Sequence, residues 1–261
     1  MNQTRDRQFT VKGHFDALAV NNRWGDLYNP TNPHSHSFLV RRLRCMELLG
    51  DLSGKRLLDL GCGTGALVEL LVQQDVEYQG IDIAPNMVQV AQTHVEELGL
   101  GATFKIQAGS VESLPYPSTY FDAVVGMGLL EYFDHPEMVI REALRVSKPG
   151  ARLVFTIPQK FCLDDLMIRL TRPFRVIARS VTRKSVDVGR DKYTRAEFQQ
   201  LFTNLGCRVV GERFYNKLIL PYPISRVWPR LGYRAAAWAE EKADLQFFAT
   251  GYILACEKST A

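Results

Sequence analysis

The chain has 261 residues, 46% hydrophobic and 23% charged, with a formal net charge of +4. That suffices to bury one full core without splitting, so a single unit over 1–261 is expected. Five cysteines (45, 62, 162, 207 and 256) are odd in number, scattered and without a C-x-x-C pair. This excludes a disulfide framework and predicts reduced thiols in a cytoplasmic compartment. No apolar run reaches membrane-spanning length, and MNQTRDRQF at the start lacks a signal-peptide core.

In chain order, Ser35–Leu49 reads as a helix with Leu39, Val40, Leu43, Met46 and Leu49 on one face. RLLDLGCGTGA at 56–66 reads as a strand over 56–60, a glycine turn and a helix near 65–74. YQGIDIAPNM follows at 78–87, giving a strand over 77–82 and a helix near 86–98. A strand over 102–107 precedes the SVESLPY loop, and Phe121–Gly126 is a fully buried strand. A helix near 137–146 leads to a strand over 152–157, and Thr194 with Glu197 forms a capping box for a helix over 195–205. Strands near 207–215 and 246–256 close the chain. Alternation of this kind implies a doubly wound, mostly parallel α/β sheet with helices on both faces.

The glycine turn is the most informative stretch. Gly61, Gly63 and Gly65 permit a sharp strand-to-helix turn and let a ligand lie against bare backbone. Asp82, ending the second strand, is placed to accept hydrogen bonds from ribose hydroxyls. The spacing admits two adenosine cofactors. Gly61, Gly63 and Ala66 satisfy the loose dinucleotide fingerprint, which allows NAD. Asp59, two residues before the first glycine, instead favours S-adenosylmethionine, because a carboxylate there can meet the methionine part directly or through a neighbour. A pyrophosphate turn has no need of that charge.

The D-L-G-C-G-T-G turn resembles motif I of the class I S-adenosylmethionine-dependent methyltransferases, in the small-molecule branch of the ubiquinone and menaquinone enzymes. The likeness continues through G-I-D-I-A-P-N-M (80–87), S-V-E-S-L-P-Y (110–116), F-D-A-V-V (121–125) and R-V-S-K-P-G (145–150), in the family's order over roughly 40–160. It implies a Rossmann-like seven-stranded sheet with an antiparallel last strand. It also implies a cofactor held by Asp59, Gly61, Cys62, Gly63, Gly65, Asp82, Ile83, Met87, Ser110, Val111, Glu112 and Met127. Two residues depart from the pattern: Ser110 stands where the family has an adenine-binding Asp, and Ala151 replaces a second glycine.

The resemblance further implies an N-terminal lid, expected in residues 13–35 with Phe15, Trp24 and Tyr28. The core then runs over 51–158, and insertions 159–193 and 217–244 are expected to gather with the lid over the pocket and hold the acceptor. Between Arg169 and Arg195 there are nine basic residues against two acidic ones, a local balance of +7 in a chain of +4. Apolar residues interleave with them. Such a stretch suits an anionic membrane surface at the inner face, an anionic acceptor, or only solvent. No nucleic-acid module is present.

Methyl transfer needs an acceptor aligned with the methyl–sulfur bond, water excluded and, for a hydroxyl or amine, loss of a proton. Glu131, Tyr132 and His135 lie near the end of the fourth strand, and Tyr132, His135 and His36 are the catalytic candidates. His34 and His36 are too few for a metal site. The expected function is methyl transfer from S-adenosylmethionine to a small-molecule or lipid-like acceptor at oxygen. The alternatives are a carbon or nitrogen acceptor, an NAD-dependent oxidoreductase, and a non-catalytic membrane-associated accessory protein.

Overall fold

The computed structural model describes residues 2–20, 24–29, 32, 35–171, 190–221, 223–242 and 244–259. Seven strands form one sheet: β1 (Lys55–Leu60), β2 (Val76–Asp82), β3 (Phe104–Ala108), β4 (Phe121–Gly126), β5 (Ser147–Pro158), β6 (Cys207–Lys217) and β7 (Ala249–Lys258). Their order is β3-β2-β1-β4-β5-β7-β6. The first five pair in parallel, and β7 lies antiparallel between β5 and β6, with Phe155 opposite Leu254 and Phe214 opposite Tyr252. The α/β sheet implied by the motifs is the one observed.

Helices α1 (Asn2–Ala19), α2 (His36–Leu49), α3 (Val68–Leu71), α4 (Pro85–Glu97), α5 (Pro136–Val146), α6 (Leu163–Leu170), α7 (Arg195–Thr203), α8 (Ile224–Val227) and α9 (Pro229–Glu240) cover it. Successive strand residues face opposite sides, so Leu57 and Leu58 join different cores. Leu57, Tyr78, Val125 and Ile253 pack with Cys45 and Leu48 of α2 and with Val88 and Ala91 of α4. Leu58, Val124, Phe155 and Leu254 pack with Ile140 of α5 and with Phe198 and Phe202 of α7. Strands buried on both faces need continuous apolar runs, which is why FDAVVG was readable as a strand. The Thr194 capping box is formed as expected.

Two expectations are corrected. The helix after the glycine turn is one turn long, Val68–Leu71, because glycines at 61, 63 and 65 hold positive φ of 68°, 54° and 81° and delay its start. In α2, Leu43 is 49% exposed while Cys45 and Leu48 are buried. The inward face is rotated from the one that apolar spacing suggests, since Arg41 and His36 take inward positions that a hydrophobic pattern cannot register.

Candidate cofactor and acceptor site

The carboxyl ends of β1, β2 and β4 open into a pocket. Its floor is the glycine turn. Gly61 N–H and Cys62 N–H donate to Ile81 C=O at 2.8 and 3.2 Å, tying the turn to β2. A β-carbon on Gly61 would stand 2.9 Å from Leu129 Cδ1, and one on Gly63 3.2 Å from Trp24 Nε1. The turn therefore offers bare backbone, closed over by side chains from elsewhere. Asp82 lines the same pocket. Its carboxylate accepts from Gly63 N–H and Ala84 N–H, both at 2.9 Å. Burial pushes its pKa up and these amides oppose the rise.

Of the residues expected to hold the cofactor, Gly61, Cys62, Gly63, Asp82, Ile83, Ser110, Val111 and Met127 line the pocket. Asp59, Gly65, Met87 and Glu112 are placed elsewhere. Asp59 sits beneath the turn at 1% exposure, accepting from Tyr78 O–H at 2.8 Å, and its other oxygen has no partner among the described residues. Burial drives its pKa to about 7. Gly65 packs against Val68 and Ala91, and Met87 is buried under the lid with Ala19 and Ala84. Glu112 donates its amide to Ser110 Oγ at 3.2 Å, so one lone pair of that hydroxyl is already engaged.

The lid is present. Phe15 of α1 meets Trp24 and Tyr132 edge-on at 5.2 and 5.4 Å, and with Tyr28 and Leu129 all of them line the pocket. Helix α1 is pinned by Asp16, which accepts from Asn86 N–H at 3.0 Å, and by Arg7, which pairs with Asp134 and Asp191.

The catalytic candidates separate. Tyr132 lines the pocket, with its phenol pushed up to about 12 by burial and by Glu131. His135 does not: its side chain is 66% exposed and faces Glu137 across 3.3 Å at the start of α5. His36 is buried between α2 and α9, with Nε2 3.4 Å from Glu240 and its ring edge-on to Tyr233. Both histidines are corrected in position, because surface hydration claims one and a long-range carboxylate the other. His34 lies outside the described residues.

The described parts of the two insertions lie away from the pocket. No described residue of 159–171 or 217–242 lines the pocket. Helix α9 packs on β6 and α2, held by Lys217 N–H donating to Glu240 at 2.9 Å. The basic stretch 172–189 lies outside the described residues. At its ends Arg169 and Lys192 both pair with Asp165, and Arg195 pairs with Glu212. Among the described residues, no helix is long and apolar enough to cross a membrane.

The methyltransferase domain family matches residues 58–155, the span that holds the glycine turn, Asp82 and β4. Residues 58–155 thus carry a class I S-adenosylmethionine-dependent methyltransferase domain. This settles the choice of cofactor left open by the glycine spacing. Among similar curated proteins is a ubiquinone biosynthesis O-methyltransferase of Xanthomonas oryzae pv. oryzae (strain PXO99A), 39% identical over 140 residues, 53% of this chain and 56% of that one. A protein so named from Sodalis glossinidius (strain morsitans) is 32% identical over 142 residues, 54% of this chain and 56% of that one. The chain spans about half the length of the curated relatives it matches. Two solved structures share the methyltransferase fold. One is a putative methyltransferase complexed with the Haloferax volcanii Trm112 activator (TM-score 0.67, 19% identity, 94% of this chain and 97% of that one). The other is magnesium protoporphyrin IX methyltransferase from Synechocystis PCC 6803 with bound SAH (TM-score 0.66, 16% identity, 97% and 100%).

Residues that the sequence reading missed are Val11, Gly128, Leu129 and Phe133 of the pocket wall. Gly128 carries the one usable signal, a glycine just past a buried strand.

Proposed function

We propose that this chain moves a methyl group from S-adenosylmethionine to oxygen on a small, largely apolar acceptor. One observation carries the reading: the glycine turn with Asp82 and the aromatic lid of Phe15, Trp24 and Tyr132 line one continuous pocket. The cofactor fits this lining. Asp82 would hold the ribose, the backbone of Gly61 and Gly63 the methionine part, and Ser110 with Val111 the adenine. When bound, it supplies an activated methyl on a sulfonium, and the protein's remaining work is alignment and dehydration. Phe15 and Trp24 close the pocket from above and exclude water. The choice of oxygen is supported by the names of relatives similar over half the chain.

Calorimetric titration with S-adenosylmethionine, S-adenosylhomocysteine and NAD tests the first half. Labelled methyl donor incubated with a metabolite extract tests the second, with the label expected in an ether. Saturable NAD binding without S-adenosylmethionine binding overturns the reading, and label recovered in an amine or a carbon-linked methyl overturns the choice of oxygen.

A further inference from the structure

Behind Gly128, at the lid end of the pocket, two charged side chains are left incompletely paired. Arg41 of α2 stacks its guanidinium on Phe38 with 5.1 Å to the ring centroid, and donates from Nη2 to Tyr28 O–H at 3.0 Å. Its Nε is cut off from solvent without a hydrogen-bond partner among the described residues. Glu131 is 3% exposed, and its Oε2 is likewise buried without a partner among the described residues. The point where a β-carbon on Gly128 would stand lies 2.6 Å from Arg41 Nη1 and 3.5 Å from Glu131 Oε1. The atoms that converge on this pocket-lining glycine are Arg41 Nη1 and Glu131 Oε1, each beside the unpartnered atom of its own side chain, and the two charges stop short of a direct ion pair.

Unpaired buried donors and acceptors are costly, so a gap of this kind asks for a group that completes it. A carboxylate head would suit Arg41 but meet Glu131, and an ammonium would suit Glu131 but meet Arg41. A neutral hydroxyl suits both, its oxygen accepting from the guanidinium and its proton donated to the carboxylate. One oxygen at ordinary hydrogen-bond lengths bridges a donor and an acceptor roughly 5–6 Å apart, the scale of this opening.

We infer that Arg41 and Glu131 form the acceptor's head-group site, selecting an un-ionised hydroxyl over carboxylate and ammonium heads. The inference rests on the methyltransferase reading above. In that transfer the hydroxyl oxygen gains the methyl, sulfur keeps the electron pair of the broken bond and loses its positive charge, and the released proton goes to Glu131. The carboxyl is suited to that exchange. Burial first, against the opposing Arg41 and Arg190, holds it near pKa 7, and the phenols of Tyr132, Tyr193 and Tyr215 face it from neighbouring elements.

The test uses three probes with one apolar body: biphenyl-4-ol, biphenyl-4-carboxylate and biphenyl-4-methylamine, titrated at pH 8 into the full chain saturated with S-adenosylhomocysteine. The parent should bind the phenol at least tenfold tighter than the other two. Glu131→Gln should move the preference to the carboxylate, and Arg41→Met to the amine. Arg41→Lys, which keeps the charge, should retain the parental order. Circular dichroism checks that each variant is folded, and Glu131→Gln preserves side-chain shape if Arg41→Met does not fold. An identical ranking in parent and Glu131→Gln, a parent that prefers either ion, or a parent that binds none of the probes overturns the inference. Failure to load S-adenosylhomocysteine would instead count against the methyltransferase reading, so the two failures are distinguishable.

Discussion

Replacing Asp59 by Asn should change how stability depends on pH. The carboxyl is 1% exposed, with one hydrogen bond from Tyr78 and one bare oxygen. Burial raises its pKa from 3.8 to about 7, with the Tyr78 hydrogen bond working against that rise and nearby Asp82 adding to it. Between those values the folded protein holds a proton that the unfolded chain has released. The stability this confers is fully present below about pH 4 and is lost as pH rises through 7. Each pH unit between the two values is worth about 1.4 kcal/mol, so ionising Asp59 in place costs the fold about 4 kcal/mol. Asparagine keeps the shape and an acceptor for Tyr78 O–H but cannot ionise. Relative to the parent, Asp59→Asn should therefore gain stability by about that amount between pH 4 and pH 8. Urea unfolding of both proteins at steps across this range measures the difference, in which the other titrating groups, Glu131 included, cancel. A difference flat to within about 1 kcal/mol would refute the reasoning, since Asp59 would then ionise as it does in water.

Gly63→Val should abolish S-adenosylmethionine binding in calorimetry and cost about 1–3 kcal/mol of stability, because φ is +54° and Trp24 stands 3.2 Å from the added carbon. Parental affinity in that variant would show that the cofactor does not cross this turn. Ser110→Ala should weaken cofactor binding measurably and Ser110→Asp should preserve or strengthen it; unchanged affinity in both would assign the adenine contact to other atoms. His135→Ala should leave methylation kinetics within about twofold of the parent, given a side chain 66% exposed, and a loss of a hundredfold or more would restore it as a catalytic group.

Elements whose cause is local were legible in the amino-acid order. Continuous apolar residues made Phe121–Gly126 a buried strand, three glycines at alternate positions marked a turn with positive φ, and Thr194 with Glu197 declared a helix start. Those same motifs located the cofactor side of the pocket, because bare backbone and an acidic strand end are written in consecutive residues. The features that came from packing alone have partners far apart in the chain. Asp59 meets Tyr78 across a sheet register, His36 is claimed by Glu240, and Trp24 closes over Gly63. Arg41 reads in the sequence as one more charge on an amphipathic helix, and Leu43 as its buried neighbour. Packing inverts them, since α2 turns Arg41 toward Gly128 and Glu131 and leaves Leu43 in water. Hydrophobic periodicity reports what a helix face avoids. It carries no record of a buried charge whose partner lies on another element.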